Sequence, residues 1–529
     1  MKISPTLLAD VYKLGHPDQY PKNTQFVYSN TTPRSSRLEG VNEVVVFGNQ
    51  YFIKEYLVKQ WNEGFFNLPK EEALKDFIRI SDHVLGKGSI SPDRMGALHD
   101  LGYLPLKLKS LPEGTLCPIG VPHTTIVNTL PEFFWLTNMI ETINQTVTWQ
   151  PLTSATIAHQ YRLLLDKYAD ETSDQPFMVD WQAHDFSMRG MSSLESACVS
   201  GAAHLLSFTG TDSIPAILFL EEYYGADIDN DIVGGSVPAT EHSVMCAGGE
   251  NDELETYRRL LEDVYPSGIV SIVSDTWDYW HILTNTLLKL KELILSRDGK
   301  LVIRPDSGDP VKIVCGYDVV EITENSLEFL EKNQHKDNNM MFFDGNDAII
   351  TWDGKYFDIH SNELTENQVK GSIELLWETF GGEINSKGYK QLDSHIGLIY
   401  GDSITIGRCE QICEGLKKKG FSSTNVVFGV GSFTYQYNTR DTFSIACKAT
   451  HVIIDGVPKA IFKDPKTDNG TKKSAKGYLR VDRVDGRLIL RDGVTPEEES
   501  GGELVTVFED GKIYNESSLK EIRDRVKNA

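Results

Sequence analysis

The sequence predicts an α/β protein, an irregular parallel (β/α) barrel packed with an α+β domain formed by the N-terminal and C-terminal segments. Three observations carry this. Six short apolar runs recur between about residue 178 and residue 432, each stopping on an acidic or glycine-rich loop. Helix-like stretches follow several of them, the alternation that a parallel sheet with crossover helices requires. The flanking segments mix helical and strand-like patterns without that rhythm.

In chain order the runs are MVDWQAHDF (178–186), FTGTD (208–212), IVSIVSD (269–275), LVIRPDSGD (301–309), IGLIYGD (396–402) and VVFGVGS (426–432). The stretch DYWHILTNTLLKLKELIL after the third and IGRCEQICEGLKKKG after the fifth read as helices. Barrel chemistry gathers where strands end, because those loops converge on one mouth. Four of the six endings place an Asp there, a fifth an adjacent His-Asp pair, and the last glycines. Converging carboxylates suit a ligand rich in hydroxyls, cations or Mg²⁺.

Residues 1–150 read as an α+β domain, with a helical EEALKDFIRISDHVLG and a strand-like YLPLKLKSLPEGTLCPIG. The barrel is expected over 151–446, interrupted at about 316–390 by a polar, acidic insertion. Within it, Asp353-Gly354 lies between alternating strands as a two-residue hairpin turn does. The insertion's aspartates lack the twelve-residue calcium-loop pattern, so a surface hairpin is the expectation. Residues 447–529 return to strands and turns, end in the charged helix SLKEIRDRVKNA, and are expected to pack with the N-terminal domain.

At 529 residues the chain exceeds one small core. Its net charge of −24 argues against nonspecific binding to nucleic acid or anionic membranes. No apolar stretch reaches the ~18 residues that span a bilayer, and MKISPTLLAD lacks the features of a signal peptide. Seven scattered cysteines point to a reducing, cytoplasmic setting. Cys409 and Cys413 lie four apart on a helix, but no second pair completes a zinc site, and buried thiols are expected. A polyanionic ligand would need local positive charge. Arg34, Arg189, Arg304 and Arg440 stand in loops beside Gly, Ser or Asp, and FKDPKTDNGTKKSAKGYLR is basic, although a solvated loop reads the same way.

No Walker A sequence occurs and GVGSFT does not complete a G-x-G-x-x-G fingerprint, so any nucleotide is held outside those folds. RPDSGDP (304–310) offers a guanidinium, two carboxylates, a hydroxyl and a glycine; it can grip a ribose diol, or be a stapled Arg–Asp loop. GVGS (429–432) leaves backbone N–H groups uncovered, as a phosphate site or a plain turn would. In GGSVPATEHS (234–243), His242 follows a Gly- and Pro-punctuated loop rather than lying on an apolar helix face. A nucleophilic or acid–base histidine needs a carboxylate to fix its tautomer, and Glu241 or an Asp of SDTWD could serve.

HDFSMRGMSS, GTDS, GSVPATEHS, SDTWD, RPDSGDP and YGD, in this order, resemble the nicotinamide phosphoribosyltransferase family. LLADVYKLGHPDQYP, TRD…CK and FKDP resemble it as well, so the likeness runs from about Ile3 to the C-terminal helix, interrupted chiefly by the insertion. The family belongs to the barrel-type phosphoribosyltransferases, in keeping with the absence of the two-acid-then-Thr-Gly motif of the other large class. The resemblance implies transfer of phosphoribosyl from 5-phosphoribosyl 1-diphosphate to nicotinamide, coupled to ATP hydrolysis through a phosphohistidine. His242 matches that histidine and Asp278 the carboxylate that orients it. Phe186 and a partner subunit's Tyr12 would sandwich the base, with Asp212, Arg304 and Ser236 at its carboxamide. Asp306, Gly401 and Asp402 would bind ribose, and Gly431 and Ser432 the 5-phosphate. Asp10, Arg34, Arg189, Arg440, Lys448 and Lys463 would surround the phosphates, with Mg²⁺ carried by diphosphate and no protein metal ligands. The site would be shared across a homodimer. Ser432 and Phe433 depart from the family's glycines, and Ala446 from a phosphate-contacting serine. A nicotinate-using relative and a noncatalytic nucleotide-binding protein on the same fold are the alternatives.

Overall fold

The computed structural model describes residues 3–321, 340–343, 349–352, 357–360, 365–401, 404–463, 467 and 474–529. Five strands form continuous parallel ladders in the order Ala183–Asp185, Val426–Val430, Ile396–Tyr400, Asp298–Arg304 and Ser267–Val273. Their buried valine, isoleucine and leucine side chains are what a sheet covered on both faces demands. Two thinner segments carry the ring onward from Ala183–Asp185 to Ser267–Val273. Asp185 bridges Thr211, Gly210 bridges Gly235, and Ala239 bridges Ser271, all in parallel. Going round the ring, the staves follow chain order, and the barrel closes.

The fold class is as the sequence predicts, with three local differences. Residues 179–182 of the first run form a helical turn rather than strand, because Val179 and Gln182, three apart, are the buried pair. FTGTD shrinks to a bridged stave. GGSVPATEHS, read as a loop, supplies the neighbouring stave. A Cβ on Gly210 would lie 2.8 Å from His184 Nδ1, and one on Gly235 3.0 Å from the Trp181 ring. These staves need glycine for close approach, which removes the apolar pattern that marks a strand.

A second sheet of seven strands is antiparallel and interleaves both ends of the chain. Its order is Val457–Ala460, Ala446–Ile454, Thr24–Thr32, Thr124–Asn128, Leu106–Ser110, Val505–Glu509 and Lys512–Ile513. The C-terminal helix Leu519–Lys527 starts at a Ser518/Glu521 capping box and buries Leu519, Ile522 and Val526 in the same core. Helix Ile406–Lys418 carries Cys409 and Cys413, both buried. Among the described residues no helix is long and apolar enough to cross a membrane.

Helix Glu141–Thr172 runs without a break through residue 150 and joins the two cores. Val147 and Ala155 pack in the α+β core, and Ile157, Tyr161, Leu165 and Tyr168 in the barrel core. Pro151 lies inside this helix, where a missing N–H normally costs stability. Its ring fits against Gly48, whose φ is +103° and whose absent Cβ would stand 2.5 Å from Pro151 Cγ.

The insertion has a four-stranded sheet of its own, ordered Phe357–His360, Ile349–Trp352, Met340–Phe343 and Asp318–Glu321. Ile349–Trp352 and Phe357–His360 pair antiparallel, and the expected turn at Asp353-Gly354 lies outside the described residues. This sheet leaves the barrel through a stem at Gly316 and Gly371, while helix Ser372–Phe380 already packs Ile373, Leu375, Leu376 and Phe380 in the barrel core. Tyr317 N donates to Val369 O at 2.9 Å, and a Cβ on Gly371 would fall 2.2 Å from Gly316 N.

Gly48→Ala should destabilise the fold by about 2 kcal/mol, combining left-handed backbone strain with overpacking against a rigid ring. Urea unfolding measures this; an unchanged midpoint would show that the Pro151 region yields freely.

Candidate active site

The C-terminal ends of the staves bring two groups of polar side chains to one mouth. On the thin side stand His184, Asp212, Ser236 and Arg304. His184 Nε2 donates to Asp212 Oδ1 at 2.8 Å, and Ser236 Oγ donates to the same oxygen at 2.5 Å. Burial pushes the Asp212 carboxyl up, but those two hydrogen bonds and nearby Arg304 outweigh it and hold it below the usual carboxylate range. Arg304 Nη2 donates to Thr240 O, while its buried Nε has no hydrogen-bond partner among the described residues. Burial draws the Arg304 guanidinium down, opposed by Asp306, Asp212 and Asp275. Phe186 is fixed by its backbone N–H to Val430 O at 2.9 Å, and its ring lies 4.5 Å from that of His184.

On the ladder side the site centres on His242, the first residue of helix His242–Gly248, with a side chain 48% exposed. Its Nδ1 is 3.2 Å from Thr276 Oγ1. Its Nε2 faces Asp275 Oδ1 at 3.8 Å and Asp306 Oδ2 at 3.9 Å, within ion-pair distance. Asp275 is 5% exposed; its Oδ2 accepts from Asp306 N at 2.9 Å and Ser307 Oγ at 2.6 Å. Its buried Oδ1 has no hydrogen-bond partner among the described residues.

Asp278, expected to orient His242, instead caps the short helix Tyr279–His281, accepting from His281 N at 3.0 Å. The first Asp of SDTWD faces the imidazole because it leaves strand Ser267–Val273 at the mouth, and the second is spent on the next helix. Glu241, the other alternative, accepts from Ser243.

The floor between these groups is backbone. A Cβ on Gly401 would lie 2.5 Å from Asp306 Oδ1, and one on Gly190 2.0 Å from Ser432 Oγ. Gly431 ends strand Val426–Val430, and Ser432 opens helix Ser432–Gln436. Arg189 is exposed on the turn Met188–Gly190. Asp402 lies outside the described residues.

The remaining expected residues gather on the antiparallel sheet and beside it. Asp10, Tyr12 and Arg440 line a cleft of about 350 Å³ with Lys13, Glu141 and Gln145. Tyr12 is 61% exposed, Asp10 accepts from Thr142 Oγ1 at 2.8 Å, and Arg440 Nη1 donates to Gln145 at 3.2 Å. Lys448 donates to Cys447 O at 2.8 Å and Arg34 Nε to Ser444 O at 3.1 Å. Burial lowers the Lys448 ammonium, opposed by Glu141 and helped by Arg34 and Lys463, so these three cations share one neighbourhood. The sequence reading missed Lys13, Glu141 and the role of His184. His184 was visible as the His of the His-Asp ending, but nothing there marked Asp212 as its partner.

Residues 181–512 match the model of the nicotinate phosphoribosyltransferase (NAPRTase) family, and residues 5–63 that of the nicotinamide phosphoribosyltransferase N-terminal domain. The chain is 47% identical over 536 aligned residues to the nicotinamide phosphoribosyltransferase of Acinetobacter baylyi, covering 99% of this chain and 97% of that protein. It is 34% identical to that of Mycoplasma pneumoniae, over 89% of this chain and 94% of the relative. Among solved structures, nicotinate-nucleotide pyrophosphorylase from Pyrococcus furiosus shares the fold, with a TM-score of 0.55 at 14% identity over 100% of this chain and 95% of that one.

The carboxyl of Asp212, held below its ordinary value, adds stability that is present above about pH 4 and is lost as pH falls through its folded value. Asp212→Asn should therefore lower the thermal midpoint at pH 6, and the deficit should shrink below about pH 4. A deficit of equal size at both pH values would mean that Asp212 matters for shape and not for charge.

Proposed function

The chain belongs to the nicotinamide phosphoribosyltransferase family, and we propose that it transfers the 5-phosphoribosyl group of 5-phosphoribosyl 1-diphosphate to the ring nitrogen of nicotinamide. The observation that carries this reading is the pairing of Asp212, an ionised acceptor, with the Arg304 guanidinium, whose buried Nε–H has no hydrogen-bond partner among the described residues, at the mouth beside Phe186. A carboxamide satisfies both at once, its N–H₂ donating to Asp212 and its carbonyl accepting from Arg304. A carboxylate base would meet the Asp212 charge instead. Phe186 offers one aromatic face to a ring that becomes a pyridinium cation.

Tyr12, Asp10 and Arg440 line a separate cleft of the same chain, and Tyr12 is largely exposed. This supports a homodimer in which a second copy supplies Tyr12 to the other face of the base and adds Arg34, Arg440, Lys448 and Lys463 to the phosphates. Those cations and Arg189 stabilise the departing diphosphate as the C1–O bond breaks. Asp306 stands beside the Gly401 backbone, where it can hold the ribose diol.

ATP coupling would run through His242. Asp275 and Asp306 face Nε2 and favour a proton there, leaving Nδ1 with the lone pair that attacks the γ-phosphorus; the bond to the ADP oxygen breaks as the N–P bond forms. Among the described residues no group of three or more His, Cys, Asp or Glu side chains could hold a metal ion by itself. In this reading Mg²⁺ is carried by the substrate phosphates. When bound, the ion neutralises charge on the leaving diphosphate. The scattered cysteines support a cytoplasmic setting.

Mononucleotide formation from 5-phosphoribosyl 1-diphosphate and Mg²⁺ should occur with nicotinamide, rise with ATP, and be weak with nicotinate. Product from nicotinate alone would overturn the Asp212 argument, and none from either base would favour a binding protein. His242→Ala should abolish the ATP stimulation while leaving basal product; intact coupling would remove His242 from this role. Asp212→Asn should narrow the preference for nicotinamide over nicotinate by about tenfold, the worth of one charge-assisted hydrogen bond. An unchanged ratio would place selectivity elsewhere.

A further inference from the structure

The 5-phosphate loop consists of Gly431 and the one-turn helix Ser432–Gln436. So short a helix has little stability of its own, so its position is set by what holds it. Its outer face carries Phe433 and Tyr437, stacked at 4.9 Å and exposed. Its inner face is tied down twice. Tyr161 hydroxyl donates to Ile404 O at 2.8 Å and lies 3.3 Å from Thr434 Oγ1. Tyr435 hydroxyl lies 2.7 Å from His204 Nδ1, and His204 Nε2 lies 3.2 Å from Ala183 O.

The second tie has a single proton arrangement. A carbonyl can only accept, so Nε2 carries the hydrogen, Nδ1 carries the lone pair, and Tyr435 donates. Both rings are fully enclosed, at 0% and 1% exposure, and His204 stacks on Phe208 at 5.1 Å. Burial keeps the imidazole below its ordinary value, with Asp185 opposing and His184 assisting, which preserves that arrangement. Ala183 opens the strand whose next residues are His184, Asp185 and Phe186. Two buried hydrogen bonds thus run from the loop expected to hold the 5-phosphate to the strand expected to hold the base.

We propose that Tyr435 and His204 are positioning residues which fix the phosphate loop relative to the base-holding strand, and so set how the sugar C1 meets the ring nitrogen. The proposal rests on the phosphoribosyl-transfer reading above and adds a specificity-bearing pair that touches no substrate. It also gives a physical role to the loop's departures from glycine. Where Ser432 and Phe433 replace permissive residues, the inward Tyr435 supplies an anchor against which the stiffer backbone can register.

The test uses the full chain with Tyr435→Phe, His204→Asn and the double variant. Affinity for 5-phosphoribosyl 1-diphosphate is measured by calorimetry, KM for both substrates by product formation, and the thermal midpoint alongside. Tyr435→Phe should weaken 5-phosphoribosyl 1-diphosphate binding by about tenfold, since it leaves a buried acceptor unpaired, while the KM for nicotinamide changes by less than about twofold. His204→Asn keeps a partner for Tyr435 but loses Ala183, and should show the same selective loss. The double variant should lose little more than either single, because both break one chain of contacts. Unchanged phosphoribosyl diphosphate affinity, or equal weakening of both substrates in step with the midpoint, would overturn the proposal. Should His204→Asn not fold, Tyr435→Phe alone decides. A wild-type chain that binds phosphoribosyl diphosphate without making product would sink the transfer reading, and the affinities would still judge the pair. A wild-type chain that does neither sinks both.

Discussion

Everything at the mouth depends on how the barrel closes. Ladders of hydrogen bonds join five staves, but the ring is completed by single bridges through Gly210, Gly235 and Ala239. Closure there requires backbones to approach without intervening side chains, and two glycines permit it. The result is an asymmetric mouth. Its thin side puts Asp212 and Ser236 within 2.5 Å of each other and exposes a carboxylate. On its ladder side Asp275 and Asp306 face His242. The carboxylate proposed to read a neutral amide and the histidine proposed to take a phosphoryl group thus share one opening.

Charge is arranged with equal economy. The chain is strongly acidic, yet several of the cations expected to meet phosphates stand apart from the acidic mouth. Burial draws the Lys448 ammonium down, Glu141 opposes this, and Arg34 and Lys463 lie near enough to add to the lowering. Like charges held close in a folded protein are poised for an anion, which relieves their repulsion on binding. Arg189 and Arg304 are the cations of the barrel side, and the second is bound to a carbonyl and ringed by three carboxylates.

Much of this was legible in the sequence, because four of the five ladder strands are runs rich in buried aliphatic residues ending on polar or glycine-rich loops. RPDSGDP and SDTWD announced themselves through their density of polar groups. What stayed hidden has a common cause. The staves at 210–211 and 235–239 are built from Gly, Ser, Thr, Pro and Ala with a single Val, a composition that reads as loop because close backbone approach, more than apolar side chains, holds them in place. Asp275 and Asp278 are three residues apart and chemically identical, so only the direction of the chain at the strand end tells the imidazole's partner from a helix cap. The Tyr435–His204 pair joins residues 231 apart in sequence and carries no local signature.

The pinched neck at Gly316 and Gly371 carries a different consequence. Because the two sides of that stem already touch, the barrel experiences the four-stranded sheet between them as it would a tight turn. Loop-closure entropy grows only with the logarithm of the length enclosed, so the host fold is nearly indifferent to what hangs from that stem. Lineages could lengthen, trim or exchange this appendage without renegotiating the catalytic architecture, and it is there, rather than at the mouth, that the chain has room to diversify.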